Sequence, residues 1–165
     1  MKTKGLSKEE LYKFFCEHIT YEIQMLLNAT YVILNQISIP NSLQNMPLES
    51  YAIHLRNLIT FFYPSNVRDT DVSAKDFYSN EDIWEKVRPP LSGLLEHAKS
   101  RADKEVGHLT IFRQYGTPET KIWDVKKLTN EIMPLVELIC ETSDKFDQKL
   151  RIDDITKYYS QGLVK

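Results

Sequence analysis

Residues 7–35 read SKEELYKFFCEHITYEIQMLLNATYVILN, and this stretch predicts the first long helix of an all-α protein. Apolar residues recur every three or four positions between Leu11 and Ile33, which is the spacing of one helix face. Ser7 and Glu10 have the spacing of a capping box, in which each side chain accepts a hydrogen bond from the other residue's backbone N–H. The helix is therefore expected to run from about Lys8 to Asn35.

Three further segments show the same helical periodicity. A second helix is expected to begin near Leu48 and to end at Tyr63, because the residue before Pro64 disfavours helix. A third is opened by Pro89-Pro90 and ends near Gly116, a natural residue after a helix C-terminus. A fourth follows Asp124 as its N-cap.

The fourth segment contains Pro134, which should kink or divide that helix because proline lacks a backbone N–H. The connection from Val67 to Tyr78 is polar, and we expect an ordered loop anchored by Phe77 and Tyr78, with a short helix carrying Trp84 after it. No segment alternates as a strand would. We predict an all-α bundle of four long helices plus short helices, forming a single domain over residues 1–165.

Composition limits the classes of function. The chain has 165 residues and a formal net charge of −2, which argues against indiscriminate nucleic-acid binding. Its N-terminus has no signal segment and no apolar run is long enough for a membrane span, so no membrane association is expected. The two cysteines, Cys16 and Cys140, sit among apolar residues, which predicts buried thiols in a reducing, cytoplasmic compartment.

Helical bundles often hold metal ions between their helices. Diiron bundles need two Glu-x-x-His pairs on different helices, and this chain has one, Glu105 with His108. A three-histidine site could draw on His18, His54 and either His97 or His108, but no short-range ligand spacing supports it. We therefore predict no metal and no cofactor.

Residues 94–110, LLEHAKSRADKEVGHLT, combine a core face with a neighbouring row of cationic side chains. Read as a helix, this segment places His97, Arg101, Lys104 and His108 in one narrow row, which we call the polar stripe. One interpretation is a solvated face, with Glu105 pairing Arg101 one turn away.

The functional interpretation of the polar stripe is cleavage of a phosphodiester without a metal. An imidazole such as His108 can take the proton of a ribose 2′-hydroxyl, acting as general base. A guanidinium such as Arg101 can bind phosphate oxygens and stabilise the charge of the transition state. Lys104 would then help to position the RNA.

The second helix carries a further polar group around His54 and Arg56. Ser50, His54 and Asn57 lie on one side of this helix, where such groups often satisfy one another across a helix interface. The alternative is that His54 and Arg56 face the third helix and extend its polar site as substrate-binding residues.

The segment from Arg101 to His108 resembles the R-x(4–6)-H signature of HEPN domains (higher eukaryotes and prokaryotes nucleotide-binding). The resemblance implies a helical bundle, and many members of that family are metal-independent ribonucleases whose cleft forms at a dimer interface. Arg101 and His108 would be the catalytic pair. The family usually has Asn, Asp or His directly after the arginine, where this chain has Ala102.

The chain is also similar to a group of small, uncharacterised bacterial helical proteins. The similarity rests on Glu49-Ser50, residues 54–58, Phe61-Phe62, Asp71-Val72, Asp76-Phe77, and Lys104 with residues 108–110, and it implies no activity.

These observations predict a HEPN-like RNA-binding or RNA-cleaving protein, and they favour a homodimer over a monomer. The alternative is a non-catalytic interaction or regulatory module with a cognate protein partner, in which the polar stripe is structural. A reactive site predicts His108 exposed in a groove beside Arg101, whereas a module predicts both residues tied to internal carboxylates.

Overall fold

The structure, a computed structural model, describes residues 6–66, 68–107, 110, 111, 114, 117, 122–147, 149 and 150. Helices make up 69% of this described part, and it contains no strand. The prediction of an all-α protein is confirmed.

The first predicted helix is present and consists of three elements that follow one another directly. They are α1 (Lys8–Phe14), a π-helical turn (Phe15–Ile19) and α2 (Thr20–Leu34). The capping box is confirmed: the Glu10 N–H donates to Ser7 Oγ at 3.1 Å, and the Ser7 N–H donates to Glu10 Oε2 at 2.8 Å.

The π-helical turn keeps one row of side chains in the core. Leu11, Phe15, Ile19 and Ile23 are all buried and follow one another at intervals of four residues. In an α-helix, four residues turn about 40° beyond a full turn, so such a row drifts around the helix. The wider π turn offsets this drift, and Thr20 Oγ1 donates to the Phe15 carbonyl across it at 3.1 Å.

The second predicted helix is α3 (Met46–Phe62), which ends where the sequence predicted. The polar segment after it contains a 3-10 turn (Ala74–Phe77) followed by Tyr78, and both Phe77 and Tyr78 are buried, as expected of its anchors. The predicted short helix is α4 (Glu81–Val87). It carries Trp84, whose Nε1–H donates to the Phe62 carbonyl at 2.8 Å.

The third predicted helix starts later and is less regular than expected. It consists of α5 (Gly93–Arg101) and a π-helical turn (Ala102–Gly107), and Thr110 beyond it is not helical. The start at Pro89-Pro90 is wrong, because Ser92 is the N-cap and accepts the Leu95 N–H at 3.1 Å. The predicted end near Gly116 lies outside the described residues.

The fourth predicted helix is α6 (Val125–Thr142), capped by Asp124 as expected. Pro134 lies inside α6 without dividing it, so of the two predicted effects division does not occur. Met133 and Leu135, on either side of the proline, are both buried and hold the two halves of the helix on the core. Their burial outweighs the hydrogen bond that proline cannot make.

The helices pack around one apolar core. α2 packs along α3, and α6 contacts α2, α3 and α5. Seven residues that the helical periodicity predicts to be in the core are buried: Leu55, Ile59, Phe62, Leu95, Leu128, Ile132 and Val136. Leu48 and Ile33, which the same periodicity places on core faces, are half-buried. Leu109, the remaining predicted core residue, lies outside the described residues.

The two cysteines differ in exposure and form no disulfide with each other. Cys16 is exposed, which corrects the prediction of two buried thiols, whereas Cys140 is half-buried. Cys16 follows the buried Phe15, and the next position on a helix points about 100° away from it, here toward solvent. None of the described helices combines the length and apolarity that crossing a bilayer requires.

Candidate functional site

The side chains of the polar stripe differ in how far they are buried. His97 and Lys104 are exposed, whereas the Arg101 side chain is only 11% exposed. Arg101 ends α5, and the π-helical turn that follows changes the angular spacing on which the stripe was predicted. His108 lies outside the described residues, so its distance from Arg101 is not part of the observed geometry.

Arg101 is bound on both sides of its guanidinium. Its Nε donates to Glu105 Oε1 at 3.1 Å and its Nη2 donates to Glu105 Oε2 at 2.9 Å, a bidentate pair. Its Nη1 donates to the Ile122 backbone carbonyl at 2.9 Å. The predicted pairing of Arg101 with Glu105 is thus observed, with a backbone partner that the sequence did not indicate.

The face of the same guanidinium is covered by an aromatic ring. The Arg101 Cζ atom lies 4.5 Å from the centroid of the Trp123 ring, a cation–π contact. Trp123 in turn meets the ring of Tyr51 edge to face, with the centroids 6.5 Å apart. Three of the five guanidinium N–H groups of Arg101 thus have partners, and a phosphate could use the fork formed by Nε and Nη2 only by displacing Glu105.

Arg56 lies on α3 and faces the third predicted helix. The functional interpretation required this orientation of both Arg56 and His54. Arg56 Nε donates to Asp103 Oδ1 in the π-helical turn after α5. The two side chains are 39% and 35% exposed, so the pair is open to solvent. This ion pair links α3 to the end of the third helix and does not include Arg101.

His54 lies on the other side of α3 and faces α2. Its Nδ1 is 2.7 Å from Glu22 Oε2, and Asn57 Nδ2 donates to the same oxygen at 3.1 Å. The His54 side chain is 12% exposed and that of Glu22 is 23% exposed. His54 and Arg56 thus do not form one site, and His54 satisfies a neighbour across the α2–α3 interface.

A network of buried hydroxyl groups connects three helices. It includes Tyr51, whose ring contacts the Trp123 ring that stacks on Arg101. The Tyr51 hydroxyl lies 3.2 Å from Thr129 Oγ1 and donates to the Val125 carbonyl at 3.1 Å. Thr129 Oγ1 is also 3.1 Å from Thr30 Oγ1. Burial raises the pKa of Tyr51, so this phenol stays protonated and acts as a donor. These bonds join α2, α3 and α6.

Among the described residues, no three or more His, Cys, Asp or Glu side chains cluster in a way that could hold a metal ion. Of the four histidines that the sequence analysis considered as ligands, His108 is outside these residues. His18 packs on the Phe14 ring at 4.8 Å between centroids and His54 is bound to Glu22, so these two have separate surroundings.

An open cavity of about 620 Å³ lies beside Ile122 and Trp123, the two residues that Arg101 contacts. Its lining residues come from the end of α2, the α2–α3 connection, the start of α3 and the segment entering α6: Val32, Ile33, residues 36–39, Asn41, Gln44, Pro47, Leu48, Ile122, Trp123 and Val125. None of these described lining residues is charged. The sequence analysis did not predict this cavity.

The contact residues that the sequence analysis missed are Glu22, Asp103 and Trp123. Each is separated from its partner by 22 to 47 positions, as in the Arg101–Trp123 and Arg56–Asp103 contacts. Periodicity signals only near neighbours on one helix, so it identified Glu105 and could not identify these three.

Comparisons with known protein families, curated proteins and solved structures give no match to this chain.

Proposed function

We propose that the protein is a non-catalytic helical binding module in which the polar residues around Arg101, Arg56 and His54 hold the helices together. The observation that carries this proposal is the state of Arg101. Its side chain is 11% exposed, bidentate with Glu105, bonded to the Ile122 carbonyl and stacked on Trp123.

A catalytic arginine must present N–H groups to a phosphate at the moment of reaction. In Arg101 three of the five N–H groups already have partners, and a phosphate at the fork formed by Nε and Nη2 would have to displace a carboxylate one helical turn away. Exchanging that carboxylate for the phosphate would also leave the partly buried Glu105 without its cation. This cost favours the structural interpretation of the polar stripe.

The two α3 residues support the same proposal. Arg56 is paired with Asp103 in a pair open to solvent, and His54 is paired with the partly buried Glu22, so each has a carboxylate of a neighbouring helical element as its partner. The criterion that separates a module from a reactive site concerns Arg101 and His108; Arg101 is tied to Glu105, and His108 lies outside the described residues. Lys104 is exposed on the π-helical turn.

HEPN-like architecture, RNA as a ligand, a homodimer, a cognate protein partner and a cytoplasmic location remain predictions. The first two depend on His108, which lies outside the described residues. They define the alternative outcome of the experiment below.

The experiment combines RNA cleavage with stability on the same samples. A labelled RNA strand in chelator, and a matched strand with deoxyribose at every position, are incubated with the wild type, Arg101→Met and His108→Ala. We expect no cleavage above background from any sample. We also expect Arg101→Met to unfold at lower urea concentration than the wild type.

One outcome, made of two observations, would overturn the proposal. One is wild-type cleavage of the RNA strand that spares the deoxyribose strand. The other is loss of that cleavage in both variants while their circular dichroism spectra and urea midpoints stay at wild-type values. Together these would assign Arg101 and His108 to catalysis and not to folding.

A further inference from the structure

We infer that the cavity between the end of α2, the start of α3 and the segment entering α6 binds a small, uncharged, amphipathic molecule. This inference deepens the proposed function, on which it rests, by naming the chemical class of the ligand. It uses the cavity, its lining residues and the contacts that hold its wall in place.

The size of the cavity suits a small molecule. Its volume is about 620 Å³, and pockets for small ligands range over about 300–1,000 Å³. A stable protein partner would need about 800 Å² of contact surface on each side, which a single concave pocket does not supply. The shape therefore favours a ligand that enters the protein over a partner that covers it.

The residues that line the cavity favour an uncharged ligand over a charged one. The described lining residues include several aliphatic side chains and the Trp123 ring, but no acidic or basic group. A charged ligand would lose its hydration on entry without gaining a counter-charge from these residues. An uncharged ligand avoids that cost and gains from covering the apolar walls.

Amide groups in the lining account for the amphipathic character of the ligand. Gln44 Nε2 donates to Asn41 Oδ1 at 2.8 Å, and both residues line the cavity. This bond uses one of the hydrogens and one of the oxygen lone pairs that the two amides offer, so donor and acceptor capacity remains in the pair. A ligand with one hydroxyl or amide group beside an apolar chain matches this lining.

Arg101 gives the cavity a fixed wall. It binds the Ile122 carbonyl and covers the Trp123 ring, and both of these residues line the cavity. The Tyr51 ring supports Trp123 at its edge. The contacts of the polar stripe thus position a binding surface, which makes Arg101 a positioning residue and reduces the ordering cost of ligand binding.

Gln36 lies in the lining with a φ of 48°, a left-handed conformation that a residue with a side chain rarely adopts. This conformation belongs to the cap that ends α2, in which the Gln36 N–H donates to the Ile33 carbonyl at 3.3 Å. Gln36 brings a further uncharged amide to the cavity.

The test uses three probes with the same alkyl chain: n-octanol, octanoate and octylammonium. The full chain, labelled with ¹⁵N, is titrated with each probe while its two indole N–H signals are followed by NMR. The Trp123 signal reports on the cavity. The Trp84 signal is an internal reference, because that indole is fully buried and bonded to the Phe62 carbonyl. We expect n-octanol to shift the Trp123 signal saturably and to bind at least tenfold more tightly than either ion.

Two matched isoleucines locate the site. Ile37 lines the cavity and Ile53 does not, yet both are 42% exposed. Ile37→Glu places a charge at the cavity and should weaken n-octanol binding at least tenfold. Ile53→Glu should change it less than twofold. Urea unfolding of both variants establishes that each is folded during the titration.

Three results would overturn the inference. They are octanoate or octylammonium binding as tightly as n-octanol, equal effects of the two glutamate substitutions, and a Trp123 signal that moves with protein concentration in the absence of probe, which would mean that a second copy occupies the cavity. If n-octanol does not bind and RNA stays intact, the inferred ligand class is wrong and the proposed function still stands. If RNA is cleaved through Arg101 and His108, the proposed function is wrong, whatever the probe does.

Discussion

Arg101 lies over the ring of Trp123, with the guanidinium carbon 4.5 Å from the ring centroid. The same guanidinium binds the carbonyl of Ile122, the residue directly before Trp123. Arg101 therefore fastens the end of α5 to the segment entering α6 through two neighbouring residues. The following predictions begin with this contact.

Replacing Arg101 with Met should lower the free energy of unfolding by about 2–3 kcal/mol, because charged hydrogen bonds are lost and partly buried acceptors are left unpaired. Glu105 and the Ile122 carbonyl lose their donor, and Trp123 loses its cation. Urea denaturation followed by far-ultraviolet circular dichroism measures the loss.

The control for this substitution is Lys13→Met. Lys13 and Glu17 also lie four positions apart, but they are 3.6 Å apart with side chains 70% and 55% exposed. Exposed pairs contribute about 0–1 kcal/mol, so this variant should differ little from the wild type. Equal losses in the two variants would contradict the structural role of Arg101.

Replacing Glu22 with Met should lower the free energy of unfolding by about 1–3 kcal/mol, because two partly buried groups lose a shared acceptor. His54 and Asn57 both contact Glu22 Oε2 across the α2–α3 interface. Glu17→Met, at the exposed pair, is the matched control. A loss at Glu22 no larger than at Glu17 would show that the interface does not need this carboxylate.

Replacing Gln36 with Gly should raise the free energy of unfolding by about 0.5–1 kcal/mol, because glycine adopts a left-handed conformation without the steric cost of a Cβ atom. Gln36 has a φ of 48° and follows the C-cap of α2. Its N–H bonds the Ile33 carbonyl at 3.3 Å, and the Ile37 N–H bonds the Val32 carbonyl at 3.1 Å, which completes a Schellman motif.

Gln44→Gly is the control for the backbone effect. Gln44 has a φ of −56°, where glycine brings no steric relief and adds flexibility to the unfolded chain. This variant should be less stable than the wild type. If both glycine variants are destabilised, the left-handed conformation at Gln36 carries no strain.

The Ser79 hydroxyl lowers the pKa of Asp144, assisted by the Ser79 backbone N–H. These groups donate to the two carboxylate oxygens at 2.6 and 2.7 Å. Because the folded pKa lies below the unfolded one, the resulting stability is present above the unfolded pKa. It is lost as the pH falls through the folded pKa.

Ser79→Ala should therefore raise the pKa of Asp144 toward its ordinary value and reduce the loss of stability in acid. A carboxyl-carbon NMR titration of Asp144 measures the pKa directly. Ser65→Ala serves as the control, since Ser65 accepts a hydrogen bond from Lys99 at 3.3 Å and makes none to Asp144. An unchanged Asp144 titration in Ser79→Ala would contradict the assignment.

The irregular helix segments show where sequence reasoning fell short. The periodicity of residues 11–23 predicted their helix and buried face, but not the π-helical turn that keeps this face in the core. The hydrophobic spacing is compatible with an α-helix that drifts slightly and with one that contains a wider turn. Only packing in the folded protein, such as the contact of the Phe15 ring with the Phe77 ring, selects between them.

Local interactions were determined by the sequence itself. The Ser7–Glu10 capping box, the Asp124 cap and the Arg101–Glu105 pair all join residues within one helical turn. Their geometry follows from the helix, so the spacing of residue types was sufficient to predict them. The buried faces of α3 and α6 followed from the same periodicity.

The tertiary structure alone decided which polar residues meet across helices. It paired His54 with Glu22, Arg56 with Asp103, and Arg101 with Ile122 and Trp123. These partners are 21 to 47 positions apart along the chain. Which of them meet depends on how each helix is rotated about its axis and on which neighbour it packs against. Both are set by the fit of side chains over the whole core, which no local pattern encodes.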